Sequence, residues 1–119
     1  MLLVTIDTLR ADRVGAFSGG PLTPTLDALA ARGVRFTQAH AHAPLTLPAH
    51  TSIMTGLIPP THGVHNNGST ALAPSVPTLA TILRGAGYRT GAFVGAFVLD
   101  ARFGLSRGFD TYDLSLIHI

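Results

Sequence analysis

The chain has 119 residues, of which 46% are hydrophobic and only 12% charged, and its formal net charge at pH 7 is +2. This length accommodates one small domain or part of a larger one, and so few charges indicate that much of its surface is covered by a larger body. The arginines are scattered and there is no cysteine, which excludes a basic stripe for a nucleic-acid partner, a disulfide framework and thiolate chemistry.

No stretch of the chain approaches the roughly 20 apolar residues of a membrane-spanning helix. The apolar start, residues 1–6, is too short for a signal peptide and runs directly into polar residues. Any targeting segment is therefore expected to precede this chain. The sequence leaves the compartment open.

The first predicted element is a buried strand over residues 2–6, an apolar run rich in β-branched side chains. A helix follows after a glycine-rich loop: Thr23 is the predicted N-cap, Pro24 takes the first helical position and Gly33 ends the helix. Its buried face is expected to consist of Leu26, Leu29 and Ala30. Residues 34–39 alternate between apolar and polar side chains and are predicted to form a strand.

A second helix is predicted to begin at Pro48 and to end at Gly56. Residues 59–77 are rich in Pro, Gly, Asn and Ser, which predicts a long loop. Loops of this length inside a compact domain are usually functional or mobile. Within the loop, Asn66 and Asn67 are expected to make turns.

A third helix is predicted over residues 77–86, and a strand over residues 88–94. The core face of that helix is expected to consist of Leu79, Ile82 and Leu83. Residues 104–113 are predicted to be loop. Residues 114–119 are apolar after this polar loop and are interpreted as a non-native tail, with a genuine terminal strand as the alternative.

The order strand, helix, strand, helix, helix, strand predicts an α/β fold with a mainly parallel sheet flanked by helices. In such sheets, ligands bind at the carboxyl ends of the strands. Asp7 follows the first predicted strand and therefore lies at such an end. Capping of the next turn is the alternative role for Asp7.

Thr46 immediately precedes the second predicted helix, whose first turn contains Pro48. The unpaired N–H groups and the dipole at a helix N-terminus favour a bound phosphate or sulfate. A hydroxyl at that place can attack phosphorus or sulfur when a divalent cation lowers its pKa, and Asp7 can supply an oxygen ligand to the cation. Taken alone, the pattern is weak, because threonine before proline is a common helix start and a simple N-cap at Thr46 explains it better.

Seven segments match motifs of one protein family in the family's order: residues 4–12, 23–30, 33–37, 46–56, 60–64, 87–90 and 108–110. The first resembles the opening strand and metal-binding aspartate of the sulfatase family, within the alkaline phosphatase superfamily. Residues 46–56 fall on the sulfatase signature C/S-x-P-S-R-x-x-L-x-T-G. The resemblance implies that residues 1–113 are the N-terminal part of a sulfatase-like catalytic domain with an alkaline-phosphatase-like fold, incomplete in this chain.

The resemblance also implies roles for two residues. Asp7 would bind a divalent cation, usually calcium in sulfatases, and Thr46 would take the nucleophile position and be a second metal ligand. Because Thr8 stands where many sulfatases have a second aspartate, manganese or zinc is the alternative ion. The family's remaining metal ligands come from much later in the chain, so this segment alone is expected to be inactive.

Several positions depart from the family pattern. His50 replaces the signature arginine and is the second candidate catalytic residue, able to donate to an anion or to orient the nucleophile. The segment that carries an anion-binding lysine and a histidine in the family aligns with Ala96 and Val98. Positive charge is then expected from Arg102 or His62, and His62 also fits the role of a structural loop residue.

Thr46 departs from the pattern as well, because oxidation of threonine gives a ketone rather than the aldehyde of formylglycine. The leading hypothesis is a metal-dependent hydrolase of sulfate or phosphate esters of small molecules or glycans. A phosphodiesterase or phosphoethanolamine-type transferase that forms a covalent phospho-threonine is the second. A non-catalytic, sulfatase-like binding domain is the third.

Overall fold

The computed structural model describes residues 1–20 and 22–115. The chain divides into two compact units, residues 1–40 and residues 41–119. Residues 116–119, which are most of the predicted non-native tail, lie outside the described residues. Across the described part of the chain, no helix is both long enough and apolar enough to cross a bilayer.

The first unit contains a 3-10 turn and two helices: Ala11–Arg13, α1 (Gly15–Ser18) and α2 (Pro24–Arg32). The helix predicted in this unit is confirmed at both ends, with Pro24 in its first turn and Gly33 directly after its last residue. Its predicted apolar face is only half formed. Leu26 and Ala30 are partly buried, whereas Leu29 is 55% exposed.

Thr23 does not cap α2 with its side chain, as the sequence predicts, but holds α1 in place. Its hydroxyl accepts a hydrogen bond from the Gly15 N–H (2.8 Å) and donates one to the Asp27 carboxylate (3.0 Å). The same carboxylate accepts the Ala16 N–H at 2.7 Å. Thr23, which precedes α2, and Asp27 in α2 thereby pair amide groups at the start of α1 that have no partners inside that helix.

The two strands predicted in this unit, residues 2–6 and residues 34–39, are wrong for the described structure. Neither segment is regular, and their apolar side chains are exposed, as at Leu2 and Val34. The physical reason is that a strand exists only through a hydrogen-bonded neighbour. Within the described residues the two strands present pair with each other, and neither of these segments is part of that ladder.

Up to residue 115, the second unit contains three helices, two strands and two 3-10 turns: α3 (Thr46–Thr55), α4 (Pro59–His62), α5 (Leu79–Gly85), β1 (Gly91–Val94), β2 (Thr111–Leu114), Phe97–Leu99 and Ala101–Phe103. The helix predicted from Pro48 is confirmed but begins earlier, at Thr46. It ends at Gly56, whose φ of 70° is left-handed. The predicted loop 59–77 contains α4. The third predicted helix is shorter than residues 77–86 because Thr78 closes a capping box at its start.

The strand predicted within residues 88–94 is confirmed as β1, which pairs in parallel with β2. The prediction of loop over residues 104–113 is wrong at its end, because β2 begins at residue 111 and ends at residue 114. Leu114, placed in the predicted tail, is part of β2 and pairs with Val94. This pairing joins segments far apart in the sequence, and the four residues of β2 are too few to predict a strand by themselves. The parallel pair with its helices confirms the α/β class.

The core of the second unit is a cluster of buried apolar side chains: Leu47, Val64, Leu72, Leu99, Phe103 and Leu105. Ile82 was expected in a core face but is 60% exposed, whereas Ala80 is 1% exposed. Gly108 explains the difference, because a Cβ atom there would lie 2.2 Å from the backbone nitrogen of Thr81. The buried side of α5 therefore admits a neighbouring backbone and leaves no room for a large side chain.

Candidate functional site

Thr46 is the first residue of α3, and the residue before it, Leu45, takes the N-cap position without a capping side chain. The interpretation of Thr46 as a simple N-cap is therefore wrong by one position. The next two residues, Leu47 and Pro48, are buried, and Leu47 belongs to the core cluster. The half-buried Thr46 thus lies at the N-terminus of a ten-residue helix whose first turn is anchored in the core.

The helix start is capped from another part of the chain. The Leu47 N–H donates to the side-chain oxygen Oδ1 of Asn67 at 2.9 Å, and the Ala49 N–H bonds to the Leu45 carbonyl at 3.0 Å. Pro48 has no N–H to offer. The idea that several unpaired amide groups at this end bind an anion therefore needs correction, because the helix dipole persists but the Leu47 donor is used by Asn67 and Pro48 has none.

Asn67 was predicted only to make a turn, and its capping role was missed. A partial signal was present in the sequence. A helix that starts after leucine has no capping side chain of its own, so an acceptor must come from elsewhere or from water. The sequence could not say which residue supplies it, because Asn67 is twenty positions away along the chain.

His50 lies one helical turn after Thr46, and the two are brought together. The ring nitrogen Nδ1 of His50 is 2.8 Å from the Thr46 carbonyl oxygen. Because a carbonyl oxygen can only accept, Nδ1 carries the hydrogen, and in the neutral ring the lone pair then lies on Nε2. The contact fixes both the tautomer and the orientation of the ring beside Thr46.

His62 is buried and has a structural role. Its Nδ1 accepts the Val64 N–H at 3.1 Å, so Nε2 carries the hydrogen and donates to the Ser52 hydroxyl, also at 3.1 Å. Burial lowers the pKa of His62, and the neighbouring His65 and His42 lower it further. The ring is therefore held neutral, and His62 does not supply the positive charge expected at the site. The hydrogen bond also runs from histidine to serine, the reverse of the polarity that activates a serine nucleophile.

The segment expected to replace an anion-binding lysine and histidine is apolar in structure as well as in sequence. Ala96 and Val98 pack against the core of the second unit. Arg102, the other candidate for positive charge, pairs with Asp100 at 3.0 Å, and its guanidinium carbon lies 5.0 Å from the centre of the Phe97 ring. These contacts give Arg102 partners within its own segment of the chain.

Asp7 lies in the first unit, in a turn with Thr8. The φ of Thr8 is 56°, a left-handed conformation that is costly for a β-branched residue. The Asp7 carboxylate is a hard oxygen donor of the kind that calcium prefers. Across the described residues, no group of three or more His, Cys, Asp or Glu side chains gathers as a metal site. A complete set of protein ligands for a cation is therefore not present among the described residues.

Comparison with known proteins gives one consistent result. The sequence profile of the Sulfatase family matches residues 1–115. An uncharacterized sulfatase of Escherichia coli, YidJ, is 35% identical over 100 residues, which are 83% of this chain and 20% of that protein. The steryl-sulfatase of Mus musculus is 38% identical over 109 residues, which are 82% of this chain and 17% of that protein.

The same relationship is seen in three dimensions. A candidate sulfatase from Bacteroides thetaiotaomicron superposes on this chain with a TM-score of 0.75 at 30% sequence identity, over 88% of this chain and 23% of that one. The chain thus spans about a fifth of the length of the curated relatives that it matches.

Proposed function

Because this chain belongs to the sulfatase family, we propose that the protein hydrolyses sulfate esters, with Thr46 in the nucleophile position. One observation carries the proposal. Within the family match, Thr46 opens α3 on a core-anchored first turn, and the peptide that follows it is hydrogen bonded on both sides, by His50 and by Asn67. A backbone held in this way fixes the Cα position from which the Thr46 hydroxyl extends, and position matters because misplacement of a nucleophile by about 1 Å can lower a rate by on the order of 10²-fold.

The electrostatic surroundings of Thr46 suit an anionic ester. The N-terminus of α3 carries the positive end of the helix dipole, and its first turn holds no acidic residue. All six acidic residues of the chain lie outside residues 28–99. An ester that bears a negative charge meets no carboxylate from this stretch.

The relatives favour sulfate over phosphate. They are described as sulfatases, and the mouse relative is by name a steryl-sulfatase. We therefore assign sulfate esters of small molecules or glycans as the substrate class. The phosphodiesterase, the phosphoethanolamine-type transferase and the non-catalytic binding domain have no comparable support from the comparisons.

In the proposed reaction, the Thr46 hydroxyl oxygen attacks the sulfur of the ester. The bond between sulfur and the ester oxygen breaks, and the alcohol leaves with a proton. Water then hydrolyses the sulfated threonine to release sulfate and restore the hydroxyl. This sequence needs no aldehyde, which a threonine cannot provide. His50 takes part by holding the Thr46 carbonyl.

Asp7 and Thr46 are the proposed ligands that the described residues offer to a divalent cation. Calcium is the ion proposed from the family, and manganese or zinc are alternatives. The ion, when bound, would supply positive charge that stabilises the developing anion and favours the deprotonated hydroxyl. A calcium shell of about six to eight oxygens needs further ligands besides these two.

The proposed substrate class is tested by turnover of two matched chromogenic esters by the full-length protein in calcium. We expect hydrolysis of 4-nitrophenyl sulfate with a kcat/KM at least on the order of tenfold above that for 4-nitrophenyl phosphate, because an active site is selective through its transition state. Faster hydrolysis of the phosphate, or hydrolysis of neither ester across calcium, manganese and zinc, would contradict the proposal.

A further inference from the structure

Asn67 lies on the loop that follows α4, between two buried residues. Val64 has an exposure of 0% and Leu72 of 2%, so both ends of this loop segment are fixed in the core. Asn67 itself is exposed, and its Oδ1 accepts the Leu47 N–H at 2.9 Å. The exposed tip of an anchored loop therefore reaches the first turn of the helix that carries Thr46.

The contact acts on one peptide group. The Thr46–Leu47 peptide has its N–H bound by Asn67 and its carbonyl bound by the His50 ring. The Leu47 side chain beyond it is buried in the core. With both polar atoms of the peptide and the next side chain held, the backbone of Thr46 has little freedom to rotate, and the direction of its Cα–Cβ bond is set.

The chemical identity of this cap is informative. Aspartate and asparagine cap helices about equally well, and at a helix N-terminus a negative charge adds a favourable interaction with the dipole. Stability alone would therefore accept aspartate at position 67. A carboxylate there would stand one peptide away from Thr46 and would repel an anionic ester. The neutral amide supplies the same acceptor without that repulsion, in a stretch of the chain, residues 28–99, that has no acidic residue at all.

We propose that Asn67 is a positioning residue for the reaction at Thr46, a cap from a neighbouring loop that orients the nucleophile's peptide while keeping the anion's surroundings free of negative charge. This inference rests on the proposed function, since it assumes that an anionic sulfate group occupies the space beside Thr46. Two properties of the Asn67 side chain have different effects. The acceptor oxygen stabilises the helix start, and the absence of charge admits the ester.

The test compares Asn67→Asp with Asn67→Ala and with Asn66→Asp in the full-length protein. Asn67→Asp keeps an acceptor for the Leu47 N–H and adds a charge, whereas Asn67→Ala removes the acceptor. Asn66 is the matched control, because it is the exposed neighbour and accepts a hydrogen bond from the Ser69 hydroxyl, which a carboxylate also accepts. The readouts are the melting temperature, the affinity for inorganic sulfate by calorimetry, and kcat and KM for 4-nitrophenyl sulfate.

We expect Asn67→Asp to melt at or above the wild-type temperature. We expect sulfate affinity and kcat/KM each to fall by on the order of tenfold, because the added unit charge repels a nearby, partly solvated anion. Asn67→Ala should lower the melting temperature and kcat, with sulfate affinity changed less than in Asn67→Asp. Asn66→Asp should stay within about twofold of wild type in every readout, because its side chain bonds to Ser69 and not to the first turn of α3.

The outcomes separate this inference from the proposed function. If the wild type cleaves the ester and Asn67→Asp matches it in turnover and sulfate affinity, the role of Asn67 is overturned and the function stands. If the wild type cleaves neither ester and Asn67→Asp still weakens sulfate binding, the function is overturned and the role of Asn67 in admitting the anion stands. If sulfate binds equally to all variants, or to none, the role of Asn67 is overturned.

Discussion

The Nδ1 atom of His50 donates to the backbone carbonyl of Thr46 across 2.8 Å, one helical turn back along α3. Histidine thus acts here on the main chain of the candidate nucleophile. An arginine at this position, as in the sulfatase signature, would instead present a charged fork of donors. The contact gives His50 a role that can be separated from any proton transfer.

Replacing His50 tests this orienting role. His50→Asn places an amide nitrogen near the position of Nδ1, so it can keep the bond to the Thr46 carbonyl, whereas His50→Ala cannot. We expect kcat/KM for 4-nitrophenyl sulfate to fall by on the order of tenfold or more in His50→Ala, and by clearly less in His50→Asn. Equal losses in the two variants, measured by steady-state kinetics, would show that the other ring nitrogen or the charge is what matters.

The buried His62 predicts a dependence of stability on pH. Burial, with smaller effects from His65 and His42, lowers the pKa of His62 below its ordinary value of 6.5. The unfolded chain therefore takes up the proton at a higher pH than the folded chain. Stability from neutral His62 is complete above about pH 6.5 and decreases as the pH falls toward the lowered pKa.

Urea unfolding between pH 8 and pH 5 measures this dependence. His62→Gln removes the titrating ring and keeps an amide nitrogen that can donate to the Ser52 hydroxyl. We expect the free energy of unfolding to fall less steeply below about pH 6.5 in the variant than in the wild type. The other histidines are the same in both proteins, so parallel curves would exclude His62 as the source of the pH dependence.

The close packing around Gly15 predicts that one added methyl group lowers the stability of the fold severely. A Cβ atom there would lie 2.2 Å from Asp27 Oδ2 and 2.3 Å from the Gly20 carbonyl oxygen, and the backbone oxygen cannot move aside as a side chain can. Gly15→Ala should therefore lower the free energy of unfolding by about 2 kcal/mol or more.

Gly85 is the control for that substitution. It lies in α5, and a Cβ atom there meets nothing within 4 Å. Gly85→Ala should leave stability unchanged or raise it by about 0.5–1 kcal/mol, since alanine is the better helix former. Both variants are measured by urea unfolding. A mild effect of Gly15→Ala, comparable to that of Gly85→Ala, would contradict the packing of Asp27 against α1.

If Asp7 binds the cation, the activity of the full-length protein should depend on the cation concentration through Asp7. Asp7→Asn keeps the size of the side chain and one oxygen, and it removes the charge. After treatment with a chelator, the calcium concentration for half-maximal activity should rise by on the order of tenfold or more, because affinity follows the charge of the ligands. Asp12→Asn is the control, as Asp12 pairs with Arg10 on the surface. If Asp7→Asn titrates like Asp12→Asn, Asp7 is not a ligand.

The sequence predicts the helices well because their ends are local. Pro24 and Gly33 mark α2, and Gly56 ends α3 through a left-handed conformation that glycine adopts freely. The strands differ, because a run of apolar residues becomes a strand only beside a partner. Residues 2–6 have the composition of a buried strand but are not part of a strand in the described structure, whereas residues 111–114 pair with β1.

The candidate site likewise contains contacts that the sequence predicts and contacts that it does not. Thr46 and His50 are four residues apart on one helix, so their proximity follows from the sequence. Asn67 reaches the same helix through a loop whose course depends on the burial of Val64 and Leu72, and no local pattern announces such a contact. Asp7 lies in the other unit, and its role as a ligand stays a prediction from the family motif.

The most direct test of the central claim is the turnover of Thr46→Val and Thr46→Ser in the full-length protein at equal metal occupancy. Valine has nearly the shape of threonine without the hydroxyl, and serine keeps the hydroxyl. A nucleophilic Thr46 predicts that kcat for 4-nitrophenyl sulfate falls by on the order of 10³-fold or more in Thr46→Val, while Thr46→Ser retains a measurable part of the activity. A Thr46→Val protein whose kcat stays within about threefold of wild type would contradict the claim, because removal of a nucleophile lowers kcat far more than that.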